Sequence, residues 1–401
     1  MVKKIKILFL LTLVAASVNG QATVDFILKA KALTEVGKAS QAEELLTKAI
    51  ASVNDSRLYF ERAEARLING DLSGALNDFN VANGLVPNSG EYGLARIYSM
   101  KGDASTSVYH LERNLASPLR KSEKEVLLDQ AFGQIENSVE WRQLWKKEWY
   151  SKSEKSLSEL EYYISAGKIG EAQTVLNEIK SEFPDSDDAS YGEALIGLAS
   201  GKYSDALRLA NGLSVSYPES EKYLRLLAKS QTGASNPSGA SLTFTRLIEM
   251  GVADAQLFIQ RAECYRKTGE IEKALADVAK YLDLYPENMA AISLAGKLQA
   301  SSGDNLKAID FFSGNIKLHP NDPECYIDRA DAYFVAKSWK WAANDYSMAL
   351  DLKPGNADAW LNKGITLLNS GQTEDACHDF RRSLSLGNKK AAGYISRNCI
   401  R

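Results

Sequence analysis

Histidine and cysteine are scarce in this 401-residue chain, with three and four copies. His110, His319 and His378 are scattered, and no HExxH, P-loop or triad constellation surrounds them. The cysteines show no CxxC spacing and no Cys/His cluster, so no zinc site is expected. The chain therefore reads as non-catalytic, with no cofactor. Only 9 Pro and 27 Gly exclude a collagen-like or linker-dominated chain. Charge of one sign is also lacking: 48 Lys and Arg stand against 51 Asp and Glu, a net charge of −3. A nucleic-acid partner is not expected from that balance. What is present is core material, 45% hydrophobic residues beside 25% charged ones. The length suits two or three domains, or one long array.

Residues 1–20 form a basic start, Lys3, Lys4 and Lys6, followed by a short apolar run from Ile7 to Ala16. This is the pattern of a secretory signal peptide, with cleavage expected after Gly20. The run is shorter than the ~20 apolar residues of a membrane span, and no later stretch is long enough. No cysteine precedes Cys264, so no lipid-modified N-terminal cysteine is expected. The mature chain should be exported, to the periplasm or outside the cell, soluble or peripheral to the envelope.

Internal repetition dominates the rest. Ala172, Ala206, Ala240, Ala274, Ala308, Ala342 and Ala376 recur at one unvarying interval over 153–390. With this alanine as position 20, position 32 is Pro184, Pro218, Pro286, Pro320 and Pro354. Position 15 is Gly167, Gly201, Gly269, Gly303 and Gly371. Small residues at 8 and 20 let two helices approach closely, and large ones at 4, 11 and 24 fill the space around them. Glycine at 15 suits the turn, and proline at 32 ends the second helix. One hairpin cannot bury its apolar face alone, so neighbours stack into a solenoid. Three less regular repeats occupy 21–119, and residues 391–401 read as a terminal cap.

This spacing resembles the tetratricopeptide repeat family. The repeat at 323–356 carries Tyr326, Ala330, Tyr333, Ala342, Tyr346, Ala349 and Pro354 of its pattern. The resemblance implies an all-α, right-handed superhelical solenoid of helix-turn-helix repeats.

Residues 120–152 lack the repeat marks. Two helices are expected, Lys121 to Phe132 and Ser138 to Tyr150. Trp141, Trp145 and Trp149 share a face of the second. They either pack a joint between two solenoid segments or form an exposed aromatic docking site. Within the array, Arg62/Asp78, Arg261/Asp277 and Arg329/Asp345 stand at positions 7 and 23 of their repeats, with Lys363/Asp379 as a fourth set. Their recurrence favours ties across each hairpin over acid–base chemistry. Cys377 and Cys399 are the one pair placed to form a disulfide, between the last repeat and the cap.

The family resemblance implies a concave groove lined by first-helix positions 2, 5, 9, 12 and 13, binding a protein or peptide. The Lys/Asn pair of chaperone-tail adaptors is absent at 5 and 9 of the last five repeats. Lys222, Arg225, Lys229, Arg266, Lys267 and Lys297 occupy groove positions in three successive repeats. They point to an acidic peptide segment or terminal carboxylate as ligand, with the alternative of a solvated face. The leading function is an envelope scaffold for protein–protein interaction. The alternative is a carbohydrate-binding envelope protein, suggested by 6 Trp and 18 Tyr.

Overall fold

The structure is a computed structural model that describes residues 20–399. The signal-peptide segment falls almost wholly outside them, as do the last two residues of the cap. The described residues hold 23 α-helices and no strand. The chain divides into two compact units, to Leu257 and from Phe258.

The N-terminal unit opens with α1 over 20–35 and α2 Ala39–Ser52. Two hairpins follow, α3 Ser56–Ile68 with α4 Leu72–Leu85, and α5 Glu91–Met100 with α6 Ala104–Leu115. A short-helix segment holds α7 Glu123–Leu128, a 3₁₀ turn Gln130–Phe132 and α8 Val139–Leu144. Then come α9 Lys152–Ser165, α10 Ile169–Glu182, α11 Asp187–Ala199, α12 Tyr203–Ser216, α13 Glu221–Gly233 and α14 Pro237–Glu249. Helix α15, Gln256–Thr268, leads into the C-terminal unit. There follow α16 Ile271–Leu284, α17 Met289–Ser301, α18 Asn305–Leu318, α19 Pro323–Val335, α20 Trp339–Leu352, α21 Ala357–Asn369, α22 Thr373–Ser385 and α23 Lys390–Asn398.

The repeat marks explain these boundaries. All seven position-20 alanines have no exposed surface. Any larger side chain there would force the two helices apart. Each proline at position 32 stands two residues after its second helix, which ends at Glu182, Ser216, Leu284, Leu318 or Leu352. The residue between has left the helical region, as the residue before a proline should. The five position-15 glycines have φ between 71° and 87°. Two repeats lack that glycine, yet Ser235 (φ 56°) and Lys337 (φ 57°) adopt the same left-handed conformation. Packing of the hairpin overrides their local preference.

The position 7/23 pairs tie their hairpins. Arg62 donates to both oxygens of Asp78 at 2.7 and 2.8 Å, Arg261 to Asp277 at 2.6 and 2.7 Å, and Arg329 to Asp345 at 2.7 and 2.9 Å. Lys363 lies 3.3 Å from Asp379. All four carboxylates are buried.

Residues 120–152 differ from the two helices expected there. Asp129 breaks the first: its backbone is extended, and its carboxylate accepts from Ala131 N–H and Tyr92 O–H. The second stops at Leu144, whose carbonyl accepts from the Trp149 indole N–H at 2.9 Å. The chain thereby folds back onto α5 and α6. Trp141 is buried with Phe132, Leu144 and Tyr150, and Trp145 and Trp149 pack against the same cluster. The tryptophans are core, not an exposed docking surface.

At the other end α23 lies on α22. Tyr394 stacks on Phe380 at 5.0 Å, and a Cys377–Cys399 disulfide joins the two at a Cα separation of 5.6 Å. Cys264 and Cys325 are buried thiols. No described helix is long and apolar enough to cross a membrane.

Candidate partner-binding site

The N-terminal unit closes on itself. Ala253, in the loop after α14, packs into the α1–α3 cluster of Ile27, Leu46 and Leu58. Gly251 stands beside Val24 and Arg57 and needs its φ of 79° to turn the chain there. Beneath this closure is a cavity of about 740 Å³. Its wall includes Lys31 of α1, Arg57, Phe60 and Glu61 of α3, Tyr92, Leu119, Lys121, and Glu221 and Arg225 of α13. The 250–254 loop completes it. A second cavity of about 860 Å³ shares Lys121, Glu221 and Arg225, and adds Arg120, Glu154, Lys155, Glu161 and Lys222.

Several of the charged groups in both cavities are paired internally. Arg225 donates to Glu221 and to Asp254, each at 2.8 Å. Burial alone would lower its pKa, but the two carboxylates outweigh burial and raise it. Arg57 makes a two-point contact with Asp55, which holds that carboxyl below its ordinary value. Arg120 pairs with Glu154, and Lys121 with Glu125 at 3.1 Å. Glu61 is the contrary case. Burial raises its pKa, and Lys31, 3.4 Å away, offsets only part of that.

The six cations singled out from the sequence divide between the two compact units. In the N-terminal unit Arg225 faces both cavities, Lys222 faces the larger, and Lys229 is exposed. Lys222 also lies over the Tyr191 ring, 4.0 Å from its centroid. In the C-terminal unit Arg266 donates to Glu263 at 2.9 Å, Lys297 pairs with Asp328 at 2.9 Å, and Lys267 is exposed. Sequence reasoning missed Lys31, Glu61, Tyr92 and the 250–254 loop. One signal marked the loop: the repeat beginning at 221 has Val252 where proline is usual, directly after Gly251.

Three profiles described as tetratricopeptide repeat match residues 27–89, 255–288 and 345–378. The chain belongs to the tetratricopeptide repeat family. Human tetratricopeptide repeat protein 13 is 25% identical over 224 residues, which are 54% of this chain and 22% of that protein. Zebrafish (Danio rerio) tetratricopeptide repeat protein 36 is 31% identical over 104 residues, 25% of this chain and 56% of that one. The chain spans about a fifth to a third of the length of the first curated relatives it matches. Among solved structures, a tetratricopeptide repeat protein from Parabacteroides merdae covers 61% of this chain and 96% of its own, with a TM-score of 0.49 and 19% identity. The cavities of the N-terminal unit are thus formed by tetratricopeptide hairpins together with the irregular 120–152 segment.

Proposed function

We propose that the protein is a non-catalytic scaffold for protein–protein interaction that holds an extended segment of a partner inside its N-terminal unit. The carrying observation is the pair of adjoining cavities, lined from α1 to α13 by side chains of both signs. Carboxylates and cations there occur in nearly equal number, which suits a segment of mixed charge better than a purely acidic one. Lys229, exposed beyond the paired Arg225, is the best remaining anchor for an acidic residue. The glycan reading loses ground because Trp141, Tyr281, Tyr326 and Tyr346 are taken up in packing. A place in the cell envelope is part of the proposal. It is supported by the Lys-rich, apolar start of the sequence and by the Cys377–Cys399 disulfide, which suits an oxidising compartment.

A photo-cross-linking residue at Leu119, on the cavity wall, tests the reading against one at the exposed Leu242, which lines neither cavity. In envelope extract, position 119 should capture a defined protein through one extended peptide, and position 242 should not. Equal capture at both positions, or adducts to glycan alone, would overturn it.

A further inference from the structure

Lys222 does not extend freely into solvent. Its ammonium lies 4.0 Å from the centroid of the Tyr191 ring, 5.6 Å from that of Tyr223, and 3.9 Å from Asp188 Oδ1. The rings of Tyr191 and Tyr223 are 5.9 Å apart, and Tyr217 lies 5.3 Å beyond, its hydroxyl donating to Asp187. Asp187 beside Tyr217, Asp188 beside Lys222 and Glu161 beside Tyr191 bring three carboxylates to this group. Burial and then Glu161 raise the pKa of Tyr191, and burial and then Asp187 and Asp188 push Tyr223 up to about 12. Tyr217, which is not buried, is raised by its hydrogen bond to Asp187. Aromatic faces with excess negative charge attract an ammonium or guanidinium group. The site is also reachable, since the Lys222 side chain is 42% exposed and, with Glu161, lines the larger cavity.

We propose that Tyr191, Tyr223, Asp188 and Glu161 form a receptor for a lysine or arginine side chain of the bound segment, with Lys222 as its internal placeholder. An exposed ion pair as long as 3.9 Å holds Lys222 weakly, and its flexible stem lets it swing out when a competing cation enters. The displaced ammonium, released from the two rings and Asp188 but still on the cavity wall, can then meet a carboxylate of the same segment. This rests on the proposed scaffold only for the source of the cation; the receptor itself is tested without a partner.

The test uses the full chain labelled with 3-fluorotyrosine, with N-acetyl-argininamide as probe and fluorine NMR as readout. Resonances are assigned with Tyr191→Phe and Tyr223→Phe. The probe should shift both tyrosines. Half-saturation should come at about fivefold lower concentration in Lys222→Ala than in the parent, as expected for removal of an exposed cation–π competitor. Asp188→Asn in the Lys222→Ala background should return it to the parent value or higher. N-acetyl-aspartate should shift neither resonance. No response in Lys222→Ala, equal titrations in all three proteins, or a response to the anion would overturn the proposal. If cross-linking at Leu119 fails while this titration succeeds, the scaffold reading falls and the cation receptor stands.

Discussion

The two compact units use the same hairpin to different ends. In the C-terminal unit a buried cation–carboxylate tie recurs at Arg261/Asp277, Arg329/Asp345 and Lys363/Asp379. There the repeat register is unbroken, and a disulfide secures the last helix. In the N-terminal unit the same tie occurs once, at Arg62/Asp78, and the register breaks at 120–152. The two adjoining cavities lie in that unit, where charged groups pair along a helix, as in Lys121/Glu125, and between elements, as in Arg225/Asp254; a smaller cavity of about 510 Å³, mostly apolar, lies beside α16 and α18 in the C-terminal unit. Strict repetition thus accompanies recurrent ties within hairpins. Departures from repetition accompany the two adjoining cavities proposed to hold a partner segment.

Asp345→Ala leaves the Arg329 guanidinium largely buried without its partner, and should destabilise the C-terminal unit by about 3–5 kcal/mol in chemical denaturation. Replacing both residues by apolar ones should recover much of the loss. Because solenoid stability is close to a nearest-neighbour sum, the damage should appear as local unfolding around α19 and α20. A change near zero would mean that the tie contributes nothing.

Cys377→Ser with Cys399→Ser should cost about 3 kcal/mol, on loop-closure entropy for a link 22 residues apart in sequence. The loss should show as faster hydrogen exchange in α23, with little change in the N-terminal unit. Gly296→Ala should cost about 1–3 kcal/mol, since a Cβ there would stand 2.4 Å from the Phe312 ring. Thermal unfolding measures both.

Much of this was legible in the sequence. The alanines at position 20, the prolines at 32 and the fixed spacing of the ties at 7 and 23 each encode a local packing demand within one hairpin. Other features depend on partners far away in the chain. Residues 121–150 have helical composition, yet Asp129 and Trp149 make contacts that end the helices early. Lys222 reads as an open groove cation until the fold places Tyr191 and Asp188 of the preceding repeat beside it. Gly251 and Ala253 close the N-terminal unit through contacts with its first helices; Val252 in place of proline marks the loop as irregular but does not say what it touches.

Smaller effects probe the same contrast. Lys337→Gly should stabilise by about 1 kcal/mol, because glycine relieves the left-handed strain at a turn that the repeats usually build with glycine. Ser235→Gly should do the same in the N-terminal unit. Glu61 gives a pH signature. Its pKa is raised on folding, so the folded state binds more protons than the unfolded one between the two values. Its contribution is therefore most favourable below the unfolded value near 4.5 and is lost as pH rises through the folded value. Glu61→Gln should raise stability at neutral pH and remove that part of the pH dependence, as read from denaturation midpoints across the acid range.

The scaffold proposal places the partner segment in the N-terminal unit. Hydrogen exchange of the full chain, with and without the protein captured at position 119, tests it most directly. Slowed exchange is expected in segments 118–125, 219–229 and 250–254, with residues 258–399 unchanged. Protection confined to 258–399 would contradict it.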